Sequence, residues 1–307
     1  MPENTQSNLV MVNVGDLMRT LWSGKWIIAV FTAVFAAGSV WYALSLSNFY
    51  TSTARLTQAE QSSNSLSSLV QQYSGLASVA GLSLGGDDEQ IGYAIEVLQS
   101  RRFLQILLDK YDILVPLIAA DGWDPESNEL SIDPRLYDVE TREWVREVRP
   151  PFSAQPSLEE AYEVWQTAFK VNRSGTFVSL SLQHFSPHLT QDWLSTVIME
   201  INSFVKAQEV EEAERSINYL VEEVERTKVA ESKTLLYDLI QRQTETIMLA
   251  NVRDEYVFKT IDPPLVPLEK TGPSRSLLCI VITLIGAALG TLVALMRDYL
   301  KVGTRSR

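Results

Sequence analysis

Residues 277–296 read LLCIVITLIGAALGTLVALM, twenty positions without a charged side chain. A helix rises about 1.5 Å per residue, so this run matches the roughly 30 Å hydrocarbon core of a bilayer. A helix in a soluble core normally keeps a polar stripe, and this run has none. Near the other end of the chain, residues 26–46, WIIAVFTAVFAAGSVWYALSL, are again uncharged. Trp26, Trp41 and Tyr42 stand where interfacial aromatics sit. The alternative for this first run is a cleaved signal sequence, but its apolar part exceeds the roughly 7–15 residues of a signal core. Both runs are therefore expected to be transmembrane helices. The balanced hydropathy of the whole chain averages two apolar ends with a polar middle.

The short flanks give the orientation. Arg297, Lys301, Arg305 and Arg307 face a single Asp298 in the tail, and Arg19 and Lys25 precede the first span. Such positive flanks mark the cytoplasmic side. The expected division is a cytoplasmic segment 1–25, a span 26–46, an extracytoplasmic domain 47–276, a span 277–296 and a cytoplasmic tail 297–307. The central domain carries 35 acidic and 20 basic side chains, which lends no support to nucleic-acid binding, since that needs a basic footprint. The only cysteine, Cys279, lies in the second span. The domain is thus expected to stand without disulfides, which over 200 residues can do.

Working outward from the spans, YTSTARLTQ (50–58) alternates and reads as a strand, as does TFVSLSLQ (176–183), with Val178, Leu180 and Leu182 on one side. The serine- and glycine-rich stretch from Gln61 reads as a loop. Asp87, Asp88 and Glu89 suit the start of the following helix, whose apolar spacing runs from Ile91 to Leu107. Ser157 and Glu160 form a capping box opening a helix through Trp165. Residues 132–156 match no recognisable pattern.

From His188 through Asp262 there are 75 residues without glycine or proline. Leu189, Trp193, Val197, Ile201 and Phe204 share a helical face, and further apolar stripes follow up to Ile240. The spacing predicts a very long helix over about 188–250, which would reach on the order of 90 Å and project from its domain. The alternative is two or three shorter helices turning back on one another. EYVFKTID (255–262) alternates again, and this last strand is expected to pair antiparallel with the first. The fold class is accordingly α+β: two transmembrane helices bracketing a mixed α/β base and a long projecting helix.

Pro263, Pro264, Pro267 and Pro273 separate that last strand from the second span. Proline fixes φ and resists both helix and sheet, so a stiff, extended collar is expected there. Inside the span, Gly286 and Gly290 form a G-x-x-x-G, which either lets a helix approach closely or is one of the chance spacings common in such segments.

Motifs for chemistry are lacking. His184 and His188 are four apart but flank Pro187, with no third ligand near in sequence. There is no G-x-S-x-G, H-E-x-x-H or phosphate-binding G-x-x-x-x-G-K-[ST]. No catalytic residue, cofactor or metal is expected.

Taken in order, these segments resemble the Wzz chain-length determinants, or class 1 polysaccharide co-polymerases. The resemblance is carried by DLMRTLWSGKWIIAVFTAVFAAGSVWYAL from Asp16, AIEVLQSRRFLQILLDKYDI from Ala94, and GTFVSLSLQHFSPHLTQDWLSTVIMEIN from Gly175. The run from Arg215 to Pro267 and the proline-rich approach to a span holding Gly286 and Gly290 complete it. It implies an inner-membrane, non-catalytic homo-oligomer with a periplasmic domain. Such a protein sets the length of a surface polysaccharide, usually O antigen, beside a Wzy-type polymerase acting on an undecaprenyl-linked glycan. The absent phosphate-binding loop separates the chain from class 2 relatives carrying a tyrosine kinase. A capsule export adaptor and a two-span periplasmic receptor are the competing readings; eleven residues after Met296 offer the receptor no output domain.

Overall fold

The computed structural model describes residue 22 and residues 24–59 and 87–305. The serine-rich loop from Gln61, Arg19 and Arg307 lie outside the described residues. The chain divides into two compact units, Met1–Ser47 with Gly272–Arg307, and Asn48–Thr271.

The first unit is a pair of helices, α1 (Lys25–Ser45) and α8 (Arg275–Arg305). They run antiparallel: the Cβ position of Gly290 meets Ile28 and Phe31, that of Gly286 meets Phe35, and the Cys279 thiol points to the Ser39 carbonyl. Their few hydroxyls bond carbonyls of their own helix, Thr32 to Ile28, Ser39 to Ala36 and Thr283 to Cys279. No polar side chain in those three pairs is left to an apolar medium. Val34, Val40, Trp41, Leu44, Leu277, Ile280, Leu284 and Leu292 stay exposed, which suits a lipid surround.

The second unit is a sheet covered on one face by helices. Its strands β1 (Tyr50–Gln58), β6 (Phe169–Ser174), β7 (Phe177–His184) and β8 (Phe258–Asp262) lie in the order β6-β7-β1-β8, and every pairing is antiparallel. The expected pairing of the first and last strands is found, with a register shift between Arg55 and Leu56. Alternation decides the faces. Ala54 and Leu56 of β1 and Val178, Leu180 and Leu182 of β7 are fully buried, while Thr53 and Arg55 point the other way and are exposed.

Four helices and the start of a fifth cover the apolar face: α2 (Asp87–Leu98), α3 (Arg101–Tyr111), α4 (Leu114–Ile118), α5 (Leu158–Ala168) and α6 (Pro187–Arg226). Ser100 divides α2 from α3, its hydroxyl accepting the Phe103 N–H at 3.1 Å. Ile91, Leu98, Phe103, Leu104, Leu107, Trp165, Leu194, Val197 and Ile201 meet the sheet in one core. Each fully buried leucine or isoleucine there contributes roughly 1.5–3 kcal/mol over leaving it exposed.

The expected single helix over 188–250 is corrected. α6 is 40 residues long and ends at Arg226; α7 (Ala230–Val252) follows after a three-residue break. Thr227 and Val229 take extended backbone (ψ 130° and 124°), as suits β-branched residues. α7 then folds back along α6: Lys206 donates to the Arg253 carbonyl, and Tyr219 and Leu220 share a cleft with Leu239 and Gln243. The long helix is present, but it spans about 60 Å at 1.5 Å per residue and has a partner in its own chain.

Residues 132–156, unassigned from sequence, follow one small hairpin and hold another. β2 (Ala120–Trp123) pairs β3 (Leu130–Ile132), and β4 (Tyr137–Asp138) pairs β5 (Glu143–Trp144). Arg146 closes the region. Its guanidinium bonds Glu160 at 2.6 and 3.0 Å and the carbonyls of Ser153 and Ala154 at 2.9 and 2.7 Å.

Candidate functional site

Two separate features are candidates for function, the collar and the contact between α1 and α8. Asp262 ends β8, and residues 263–271 are neither helix nor strand. Pro263 is exposed, Pro264 buried, Pro267 and Pro273 half-buried. The segment is pinned twice to the start of β1: the buried Ser52 hydroxyl donates to the Leu265 carbonyl at 2.8 Å, and the Thr271 N–H donates to the Phe49 carbonyl at 2.8 Å. Phe49 in turn stacks on Phe185, ring centroids 4.6 Å apart. Fixed φ angles and two hydrogen bonds together give this irregular stretch a set path.

Gly286 and Gly290 are buried on the face of α8 that meets α1, with Ala294 one turn further on the same stripe. A side chain at Gly286 would drive its Cβ into Phe35 Cβ; at Gly290 it would lie 3.1 Å from Ile28 Cα and Phe31 Cβ. The G-x-x-x-G thus faces the other helix of the same chain, and glycine is what lets phenylalanine rings sit there. Pro263, Pro264 and Pro267 belong to one unit, and Pro273, Gly286 and Gly290 to the other.

A buried polar lock holds the chain where it enters β8. Asn202, 4% exposed, accepts three backbone N–H groups, of Tyr256, Val257 and Phe258, at 3.1, 2.8 and 2.9 Å. Its amide donates to the carbonyls of Ile198 and Phe258, both at 3.1 Å. Nearby, Glu209 accepts from the Tyr256 hydroxyl and from Gln90. Burial, and then that hydrogen bond, push the Tyr256 phenol well above its usual range. Sequence reasoning missed this lock. The available signal was Asn202 in the stripe Leu194, Ile198, Asn202, Val205, where a surface asparagine would be out of place.

Glu200 was missed for the same reason. Only 6% exposed on the core side of α6, it accepts from Lys110 at 2.7 Å and Tyr111 at 2.6 Å. Burial opposes its ionisation, but the two hydrogen bonds outweigh burial and hold its carboxyl below the usual range. The same contact pushes the Tyr111 phenol up to about 12.

His184 is buried at the end of β7. Its Nδ1 accepts the Ser186 N–H at 3.2 Å, so its proton sits on Nε2, 2.9 Å from the Pro116 carbonyl. Burial lowers its pKa. This ring joins α4 to the turn that starts α6, which is a packing role. His188 lies beside Trp123 instead. Among the described residues no three His, Cys, Asp or Glu side chains converge as a metal site would require.

Residues 11–111 match the family model of Wzz, the chain length determinant proteins. The match covers about the first third of the chain, and the resemblance read from the sequence is borne out there. Among solved structures, a full-length bacterial polysaccharide co-polymerase is similar over 93% of this chain and 97% of its own, at 14% identity and a TM-score of 0.37. A fragment of WzzB, the polysaccharide co-polymerase from Salmonella Typhimurium, is similar over 73% of this chain and 100% of its own, at 14% identity and a TM-score of 0.30. No curated protein matches the chain.

Proposed function

We propose that this chain is a non-catalytic regulator of polysaccharide chain length, acting on the O antigen of lipopolysaccharide. The observation that carries the reading is the match of residues 11–111 to the chain length determinant family. α1 and α8 cross the inner membrane, both termini are cytoplasmic, and residues 47–276 form the periplasmic domain. The chain assembles as a homo-oligomer beside a separate Wzy-type polymerase that extends an undecaprenyl-linked glycan. Tyr219, Leu235, Tyr237 and Met248 of the α6–α7 hairpin are more than half exposed, and such uncovered apolar residues support self-association. The collar prolines and the glycine-packed spans serve geometry: they hold the periplasmic domain against bilayer and polymerase.

The test is the lipopolysaccharide ladder of the host with and without this gene. Loss of a preferred length, with polymer still made, is expected. An unchanged ladder would remove O antigen as the target and favour the capsule or exopolysaccharide reading.

A further inference from the structure

The collar and the end of β8 display apolar side chains that none of the described residues covers. Leu268 is 95% exposed, Leu265 69% and Ile261 53%. These leucines do not swing on a loose loop: the Leu265 carbonyl is held by Ser52, and Thr271 by Phe49. The chain on both sides runs straight into apolar helices. Phe49 is four residues beyond the end of α1 at Ser45, and Thr271 four before the start of α8 at Arg275. Four residues reach at most about 14 Å, so both pins are tethered close to the ends of the two spans.

We propose that Leu265 and Leu268 dock on the membrane surface itself, with their side chains in the boundary between headgroups and acyl chains. This rests on the two-span reading of α1 and α8. The partner is a lipid surface because the uncovered leucines are continuous, along a pinned backbone, with segments whose own surroundings are lipid. The neighbouring Glu269 and Lys270 are exposed and keep their charges in the headgroup layer, as interfacial segments do. The collar then acts as a foot and not only a spacer: it resists tilting of the domain because rocking would pull leucines from the lipid.

The test uses the full chain in phosphatidylcholine nanodiscs, with Cys279→Ser removing the native thiol. A bimane label is placed at Leu268→Cys, at Leu284→Cys in α8, and at Leu235→Cys in α7 as an exposed control. Lipids carrying a doxyl quencher near the headgroup or deep in the acyl chain report contact. The expected result is quenching at Leu268 by the shallow quencher, at least about twofold above that at Leu235, with Leu284 quenched by the deep one. Quenching at Leu284 with Leu268 no different from Leu235 would overturn the docking and leave the spans standing. A blue-shifted but unquenched label at Leu268 would overturn it too, assigning the leucines to a second copy of the chain. An unquenched Leu284 would overturn the two-span reading and the docking with it.

Discussion

Asn202 concentrates more of the fold than any other polar residue in α6. Three backbone N–H groups converge on one side-chain oxygen, and no water-exposed route is left to them. Leaving a buried donor unsatisfied costs about 1–3 kcal/mol, so Asn202→Ala should cost at least about 3 kcal/mol, read as a clear fall in the thermal unfolding midpoint. Asn202→Asp keeps the acceptor but turns a second oxygen on the Ile198 and Phe258 carbonyls. It should therefore also be destabilised at neutral pH and recover in part on acidification, as its protonated carboxyl can donate again; no such recovery would count against the two-way lock. His184 makes a pH-dependent contribution whose sign follows from its burial. Its pKa in the folded chain lies below the ordinary 6.5, so the unfolded state binds more protons as pH falls. The contribution is full above about pH 6.5 and is lost on acidification through the lowered folded value. The unfolding midpoint should therefore fall between pH 7 and 5, and His184→Gln should flatten that slope. Glu160 acts at lower pH. Bonded first by Arg146 and then by the Ser157 N–H, its carboxyl is held to about 2, and its stabilisation is lost as pH drops from about 4.5 toward that value.

At the scale of elements, what could be read in advance depended on pattern length and on partners. β1 and β7 alternate over eight or nine residues against a one-sided core, and that period shows in sequence. β6, FKVNRS, is a short edge strand with three consecutive exposed residues, so it carries no such period. The break after Arg226 was hidden because neither glycine nor proline marks it; the available signal was Thr227 and Val229 flanking Lys228 in a polar stretch. Hairpin and straight rod are separable by experiment. Leu220 and Leu239 line one cleft, whereas in a continuous helix they would stand about 28 Å apart. With Cys279→Ser, the pair Leu220→Cys and Leu239→Cys should therefore be joined by a short bismaleimide within one chain; failure to join would favour the rod. The G-x-x-x-G left two readings open in the sequence, because small residues are common in spans and only the facing ring of Phe35 shows what Gly286 meets. Gly286→Val drives a side chain into that ring and should lower thermal stability in nanodiscs, by about 1–3 kcal/mol. Phe35→Ala in the same chain should recover much of the loss, and no recovery would mean that the two residues do not meet.

At the scale of the whole molecule, the proposed role is geometric. A one-sided sheet holds the first and last strands of the domain side by side, so the segments leading to both spans leave from neighbouring strands. Along the chain between β8 and α8 stand Pro263, Pro264, Pro267 and Pro273, whose role in sequence could be read only as stiffness; the pinning of Leu265 by Ser52 and of Thr271 by Phe49 needed the fold. If a periplasmic domain set against the bilayer governs polymer length, loosening the collar should change length without removing the protein. The direct measurement is the lipopolysaccharide ladder of a host lacking the native gene, complemented either with the native chain or with Pro267→Ala and Pro273→Ala together, at matched abundance. The account predicts a shifted or broadened preferred length with polymer still abundant. An unchanged ladder at equal abundance would contradict it.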